Sequence, residues 1–352
     1  MGKSPLHTRL FRFTALSLSG MLCMVAAGCA DNDLPQPKAA AAAQMDTTPT
    51  QHPAAAPLND DELRVTLLGT GSPLPSTSRA GMSTLVQTNK LNLVIDAGRG
   101  VTTRLHQAGV SLGQIDGVFL THFHSDHVSG LADLWMTGYI PPLGGRQEAL
   151  SLYGPEGVGN IAEGLTSAFK NDADVRVADG EVKPEATGLS ATEFTHEGVV
   201  FDQDGVRVTM FDVQHDPKGA IKPSVGYRVD FGEHSVLISG DTIPVDNIVK
   251  YGSNVDVMIH EVAEFEDTSA LPTVYAHHTN PRQAGQIFKT AAPQMAVYSH
   301  IVNGTIGIPG VSNEKLVERT RENYDGPLTV GEDLMSFLIS GTGIEVHHPS
   351  NI

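Results

Sequence analysis

Short apolar runs rich in β-branched residues recur between Leu63 and about Val346. They are Val65–Leu68, Leu91–Ile95, Val118–Leu120, Val236–Ile238, Val255–Ile259 and Met295–Tyr298. Runs of this length and composition predict buried strands. Helical patterns alternate with them at Val101–Ala108, Leu131–Met136, Pro281–Ala291 and Glu314–Tyr324. Before the third of these, Asn280 stands where an N-cap accepts from the first turn, and Pro281 supplies the φ of a first helical position. Strands mixed with helices of this size predict an α/β layer architecture. No second linker interrupts residues 61–352, which read as one domain.

Several runs end alike. Val118-Phe119-Leu120-Thr121 leads into His122, and Val236-Leu237-Ile238-Ser239-Gly240 into Asp241. Val255 to Ile259 leads into His260-Glu261, and Val297-Tyr298-Ser299 into His300. Buried strands hold their terminal side chains rigidly, so four polar ends side by side predict a preorganised site.

The N-terminal pattern is different. Residues 1–28 carry Lys3, Arg9 and Arg12 and no acid, followed by the apolar stretch Phe13–Ala27 and the ending Ala26-Ala27-Gly28-Cys29. A basic start, a short apolar run and small residues before a cut predict a secretory signal, too short to span a bilayer. The ending resembles a bacterial lipoprotein box, which implies a periplasmic protein anchored to a membrane through lipidated Cys29. Cleavage without lipid is the alternative. Residues 29–60 are Ala-, Pro- and Gln-rich and predict a flexible tether.

Composition adds two restrictions. The chain has 23 Lys+Arg against 40 Asp+Glu, a net charge of −17. The signal removes three bases and no acid, leaving the exported protein at −20. Nucleic-acid binding rests on Lys and Arg neutralising phosphates, so this balance predicts no nucleic-acid partner. Two cysteines exclude a disulfide framework and a thiolate-rich zinc site, whereas 15 histidines suggest a metal enzyme.

The densest motif is His122-Phe123-His124-Ser125-Asp126-His127. Three imidazoles and a carboxylate in six residues cannot all face one way on a strand or helix. In a tight loop after a strand they can point at two adjacent centres. Imidazole and carboxylate suit zinc, manganese or iron.

This motif resembles that of the metallo-β-lactamase superfamily, and further elements place the likeness in its ribonuclease Z and arylsulfatase-like branch. They are Leu68-Gly69-Thr70-Gly71-Ser72-Pro73, Ile95-Asp96-Ala97-Gly98, His215 with Gly226-Tyr227-Arg228, Ser239-Gly240-Asp241-Thr242, His260-Glu261, His278-Thr279 and Ser299-His300. The resemblance implies a four-layered αβ/βα sandwich with two zinc ions between its sheets, manganese or iron being possible. It implies one metal held by His122, His124 and His215 and another by Asp126, His127 and His300, with Asp241 bridging. It makes His278 a general acid oriented by Glu261, and Asp126 is counted with these two as catalytic. Asp96 either supports a ligand histidine or is a satisfied turn aspartate. His106, His196, His234, His347 and His348 read as surface residues.

The substrate is read from charge. Residues 156–204 carry Lys170, Arg176 and Lys183 against eleven acids, which predicts repulsion of RNA. The leading expectation is therefore an exported hydrolase of a small ester, an aryl sulfate or a phosphodiester, attacked by a metal-bridging hydroxide. The alternatives are a lactonase, a ribonuclease Z-like tRNA 3′ endonuclease and a non-catalytic metal-binding lipoprotein. With Asp241 in place of cysteine or serine, the second metal position is not that of the β-lactam-hydrolysing relatives. A homodimer is possible.

Overall fold

The computed structural model describes residues 52–266, 272–304 and 310–349. The signal, Cys29 and most of the tether lie outside the described residues. The end of the tether is bound to the domain: His52 Nε2 meets the Leu334 carbonyl at 2.9 Å, and Arg64 donates to the Ala56 carbonyl.

Strands β1 (Leu63–Gly69), β2 (Ser83–Gln87), β3 (Asn92–Ile95), β4 (Gly117–Phe119), β5 (Leu150–Pro155) and β6 (Leu189–Phe194) belong to one sheet. A second sheet takes β7 (Gly198–Gln203), β8 (Val206–Asp212), β9 (Val225–Phe231), β10 (His234–Ile238), β11 (Val257–Ala263), β12 (Met295–Val302) and β13 (Leu328–Val330). The chain then returns to the first with β14 (Ser336–Ser340) and β15 (Gly343–His347). The orders are β15-β14-β1-β2-β3-β4-β5-β6 and β13-β12-β11-β10-β9-β8-β7.

Each sheet has an antiparallel part and a parallel part. Strands β3 to β6 are parallel, as are β10 to β13. Parallel neighbours need crossovers, and helices supply them. In the first sheet these are α1 (Val101–Gln107), α2 (Ser125–Val128), α3 (Leu131–Thr137), α4 (Val158–Ala168) and α5 (Lys170–Ala178). In the second they are α6 (Asp246–Gly252), α7 (Pro272–Tyr275), α8 (Pro281–Ala291) and α9 (Asn313–Thr320). Helix α8 has the expected bounds, and Asn280 and Gln283 close a reciprocal capping box at its start.

Three apolar clusters match this layering. One lies between the sheets and includes Leu67, Ile95, Phe119, Tyr227 and Ile259. The second packs Leu105, Leu134 and Trp135 on the outer face of the first sheet. The third packs Ile248, Phe288 and Leu316 on the outer face of the second. The result is the expected four-layered αβ/βα sandwich, helices–sheet–sheet–helices.

The strand ends differ from expectation in two places. Strand β11 continues through His260 and Glu261 to Ala263, and β12 continues through His300 to Val302. Glu261 pairs with Ser299 but Val262 with Ile301, so His300 is an extra residue between them. Its φ is 44°. A bulge of this kind kinks a strand and re-aims one side chain, and left-handed backbone at a non-glycine residue is strained.

Candidate metal centre

The carboxyl ends of the parallel strands of both sheets meet at one edge of the sandwich, where ligands bind in open α/β sheets. After β4 the chain runs through Thr121 into the His122–His124 loop and then into α2, which carries Asp126 and His127. Gly98 lets this loop sit close, since a Cβ there would lie 2.1 Å from the Asp126 carbonyl oxygen. After β10, Gly240 takes φ 62°, which glycine adopts freely, and turns Asp241 inward. His215 comes from the β8–β9 connection, and the bulge in β12 supplies His300.

These seven side chains converge. One set, His122, His124, His215 and Asp241, has ligand atoms within 4.8 Å of one another, and so does a second set, Asp126, His127 and His300. Asp241 stands between them: its Oδ2 lies 3.8 Å from His122 Nε2, 3.6 Å from His215 Nε2 and 3.2 Å from His300 Nε2. Its Oδ1 lies 3.4 Å from His127 Nε2. His300 Nε2 is also 3.0 Å from Asp126 Oδ2. His124 is the most exposed member.

The donor set fits metal ions. His122 Nε2, His127 Nε2, Asp126 Oδ1 and Asp241 Oδ1 are buried and have no hydrogen-bond partner. An unpaired buried polar atom costs about 1–3 kcal/mol, so several aimed at one place signal a missing cation. Burial holds the pKa values of His122 and His215 below the ordinary histidine value, which keeps their lone pairs available. At His127 burial opposes charge, but Asp241 and Asp96 outweigh it and raise the pKa well above normal. A bound cation would take the place of that proton. At Asp241 burial disfavours ionisation, yet His300 and His127 hold the carboxyl well below its usual range.

Supporting groups fix the rings. Asp96, at φ 61°, accepts from His127 Nδ1 at 2.8 Å and from the Thr121 amide at 2.8 Å. It therefore takes the supporting place rather than a turn role alone. His215 Nδ1 donates to the His277 carbonyl at 2.9 Å, leaving Nε2 for a metal. Thr121 Oγ1 lies 3.1 Å from His122 Nδ1. Sequence reasoning missed Thr121 and the His277 carbonyl; a hydroxyl directly before the motif was the available signal for the first, and a backbone group leaves none.

His278 and Glu261 lie beside the centre. His278 shares a third set with Asp241 and His300, again with ligand atoms within 4.8 Å. Its Nδ1 is 3.1 Å from Glu261 Oε1, which also accepts from the amides of Thr242 and Thr279. Burial opposes a charge on His278, but Glu261 outweighs it and the pKa is pushed up to about 9. His260 stays apart, its buried ring edge-on to Phe288. His106, His196 and His348 are exposed, and His234 and His347 partly so.

Comparison with known proteins extends this picture. The Beta-lactamase superfamily domain family matches residues 91–301. Ribonuclease Z of Mycobacterium bovis (strain BCG / Pasteur 1173P2) is 31% identical over 277 residues, which cover 77% of this chain and 96% of that protein. Ribonuclease Z of Mycolicibacterium gilvum (strain PYR-GCK) is 31% identical over 278 residues, covering 77% of this chain and 94% of that protein. The fold matches the metallo-β-lactamase fold protein YhfI from Bacillus subtilis (TM-score 0.63, 19% identity, 79% of this chain and 100% of that chain). It also matches the short form of human tRNase Z (TM-score 0.58, 22% identity, 78% of this chain and 98% of that chain).

Two expectations are corrected by these relatives: the exported small-ester hydrolase as the leading function, and the exclusion of nucleic acid. The relatives that are 31% identical and matched over nearly their whole length are named Ribonuclease Z. The charge argument failed because many acids of residues 156–204 serve the fold. Arg176 pairs with Asp172 at 3.1 Å and Glu181 at 2.9 Å, Lys170 with Asp174 at 2.6 Å, and Glu193 accepts from the amides of Gly157 and Gly159. With the family match covering residues 91–301 and the candidate metal ligands brought together, this protein belongs to the metallo-β-lactamase superfamily.

Proposed function

We propose that the protein is a metal-dependent ribonuclease of the ribonuclease Z kind, hydrolysing a phosphodiester bond at the 3′ side of a transfer RNA precursor. The observation that carries this reading is the 31% identity spanning 96% of a ribonuclease Z. The converged donor set and the His278–Glu261 pair support it chemically. His122, His124 and His215 would hold one metal, Asp126, His127 and His300 a second, with Asp241 shared. Imidazole and carboxylate donors suit zinc, and also manganese or iron. When bound, the metals would act as Lewis acids toward a phosphoryl oxygen and the attacking water.

The chain's own residues do the rest. Asp96, Thr121 and the His277 carbonyl fix which ring nitrogen of His127, His122 and His215 faces the centre. Glu261 fixes the His278 ring through Nδ1 and favours its protonated form, so the other nitrogen carries a proton for the departing ribose oxygen. The test uses zinc-loaded protein with a 3′-extended tRNA precursor, mature tRNA and bis(nitrophenyl) phosphate. Endonucleolytic removal of the 3′ extension is expected. Turnover of the nitrophenyl ester with no cleavage of the precursor would refute the RNA reading.

A further inference from the structure

Behind the centre lies a closed cavity of about 10 Å³, the space of one water molecule, lined by Asp241, Glu261, Ser299 and His300 among others. The buried polar atoms of its lining with no partner are Asp241 Oδ1, His260 Nε2, Glu261 Oε2 and His300 Nδ1, the last two belonging to neighbours of His278. Both residues flank His278, Glu261 through the 3.1 Å contact of its Oε1 and His300 by ring stacking at 5.6 Å. Ser299 also lines the cavity, and among the described residues its hydroxyl donates to the weakly accepting Met82 sulfur, at 3.4 Å.

We infer that this cavity holds one structural water that joins His300, Glu261 and Ser299, and that Ser299 is a positioning residue for the metal centre. The inference rests on the metal-binding reading of His300. With His300 Nε2 turned to the metal, its Nδ1–H donates to the water. The water then donates to Glu261 Oε2 and to Ser299 Oγ. The water so placed makes the three bonds usual for a buried one. A metal-ligating histidine needs its second nitrogen anchored, and among the described residues His300 Nδ1 has no direct partner for that purpose. The same water ties the ring that holds metal to the carboxylate that orients His278.

The test has a direct arm and a binding arm. A high-resolution crystal structure of the native protein should show one ordered water within hydrogen-bonding distance of Glu261 Oε2, His300 Nδ1 and Ser299 Oγ. Chelator competition should find zinc bound about tenfold more weakly by Ser299→Ala, with Ser299→Thr within about threefold of native because it keeps the hydroxyl. Thermal unfolding of the metal-free variants confirms that each is folded. A dry cavity, or a folded Ser299→Ala that holds zinc as tightly as native, overturns the inference. Neither arm uses RNA, so failure of the precursor assay leaves both results standing. If native protein binds no zinc, the metal reading falls, and the crystal still decides the water.

Discussion

Replacing His278 with glutamine removes the ring that Glu261 holds in its charged form while leaving a polar side chain of similar reach. The native pKa of about 9, against 6.5 for an ordinary histidine, stabilises the imidazolium by roughly 3 kcal/mol. The side chain is 12% exposed, so solvent screens little of this. In metal-free protein at pH 7 a ring with that pKa is protonated about 99% of the time. A general acid contributes about 10²–10⁴ in rate where the leaving group needs a proton. His278→Gln should therefore slow cleavage of precursor RNA, which expels a ribose alkoxide, by at least about 100-fold. Hydrolysis of bis(nitrophenyl) phosphate, whose phenolate leaves unaided, should fall by less than about tenfold. Equal slowing of both would refute the proton-donor role.

The same substitution gives a stability test in metal-free protein. Because the folded pKa lies above the unfolded one, the stabilisation is fully present below about pH 6.5 and is lost as pH rises through about 9. The difference in unfolding free energy between native and His278→Gln should shrink by up to roughly 3 kcal/mol across that window. Bound divalent cations repel the imidazolium, so zinc should move the His278 titration, followed by NMR, to lower pH. A stability difference independent of pH would show that the ring is not held charged.

Other perturbations address the rest of the centre. Asp241→Ala removes the carboxylate that faces both donor sets, and should lower metal content by mass spectrometry and abolish RNA cleavage; unchanged stoichiometry would exclude the shared role. Asp96→Ala should weaken metal binding about 10–100-fold in chelator competition, because His127 loses the acceptor at 2.8 Å that fixes its ring. Gly98→Ala should destabilise the protein by about 1–3 kcal/mol in denaturant unfolding, since the added Cβ would fall 2.1 Å from the Asp126 carbonyl and 2.5 Å from the Gly81 carbonyl carbon.

What the sequence disclosed followed the strength of local signals. Helix α8 was legible to the residue because Asn280, Pro281 and Gln283 mark its start chemically. The central strands were legible because both faces are buried and the runs are continuously apolar. Strand β6 was not, since half-buried positions are interspersed with exposed ones, Glu193 among the exposed. The bulge at His300 left no trace either: bulges with left-handed backbone are usually signalled by glycine, and here the strand simply contains one residue too many.

The substrate was misjudged for a related reason. Net charge is a sum with no location, whereas a polyanion meets the local field of one face. Four acids of residues 156–204 are engaged within the fold, Asp172 and Glu181 with Arg176, Asp174 with Lys170 and Glu193 with the amides at the start of α4, so the bare count of acids overstates what an approaching phosphate would meet. Cations, by contrast, lie close to the centre. Arg99 and Arg104 line a cleft with Ser76 and Thr103; Arg104 pairs with Asp333 at 2.9 Å, whereas the Arg99 guanidinium donates to the carbonyl oxygens of Ser72 and Leu74. The backbones of Arg99 and Asp126 both crowd Gly81, which ties this cleft to the metal-binding loop. A chain at −17 can thus still carry a cation, that of Arg99, beside the metal-binding loop. The ligand set needed no such averaging. The candidate ligands were named from the resemblance to the superfamily, and the structure brings their ligand atoms within 4.8 Å of one another in two groups.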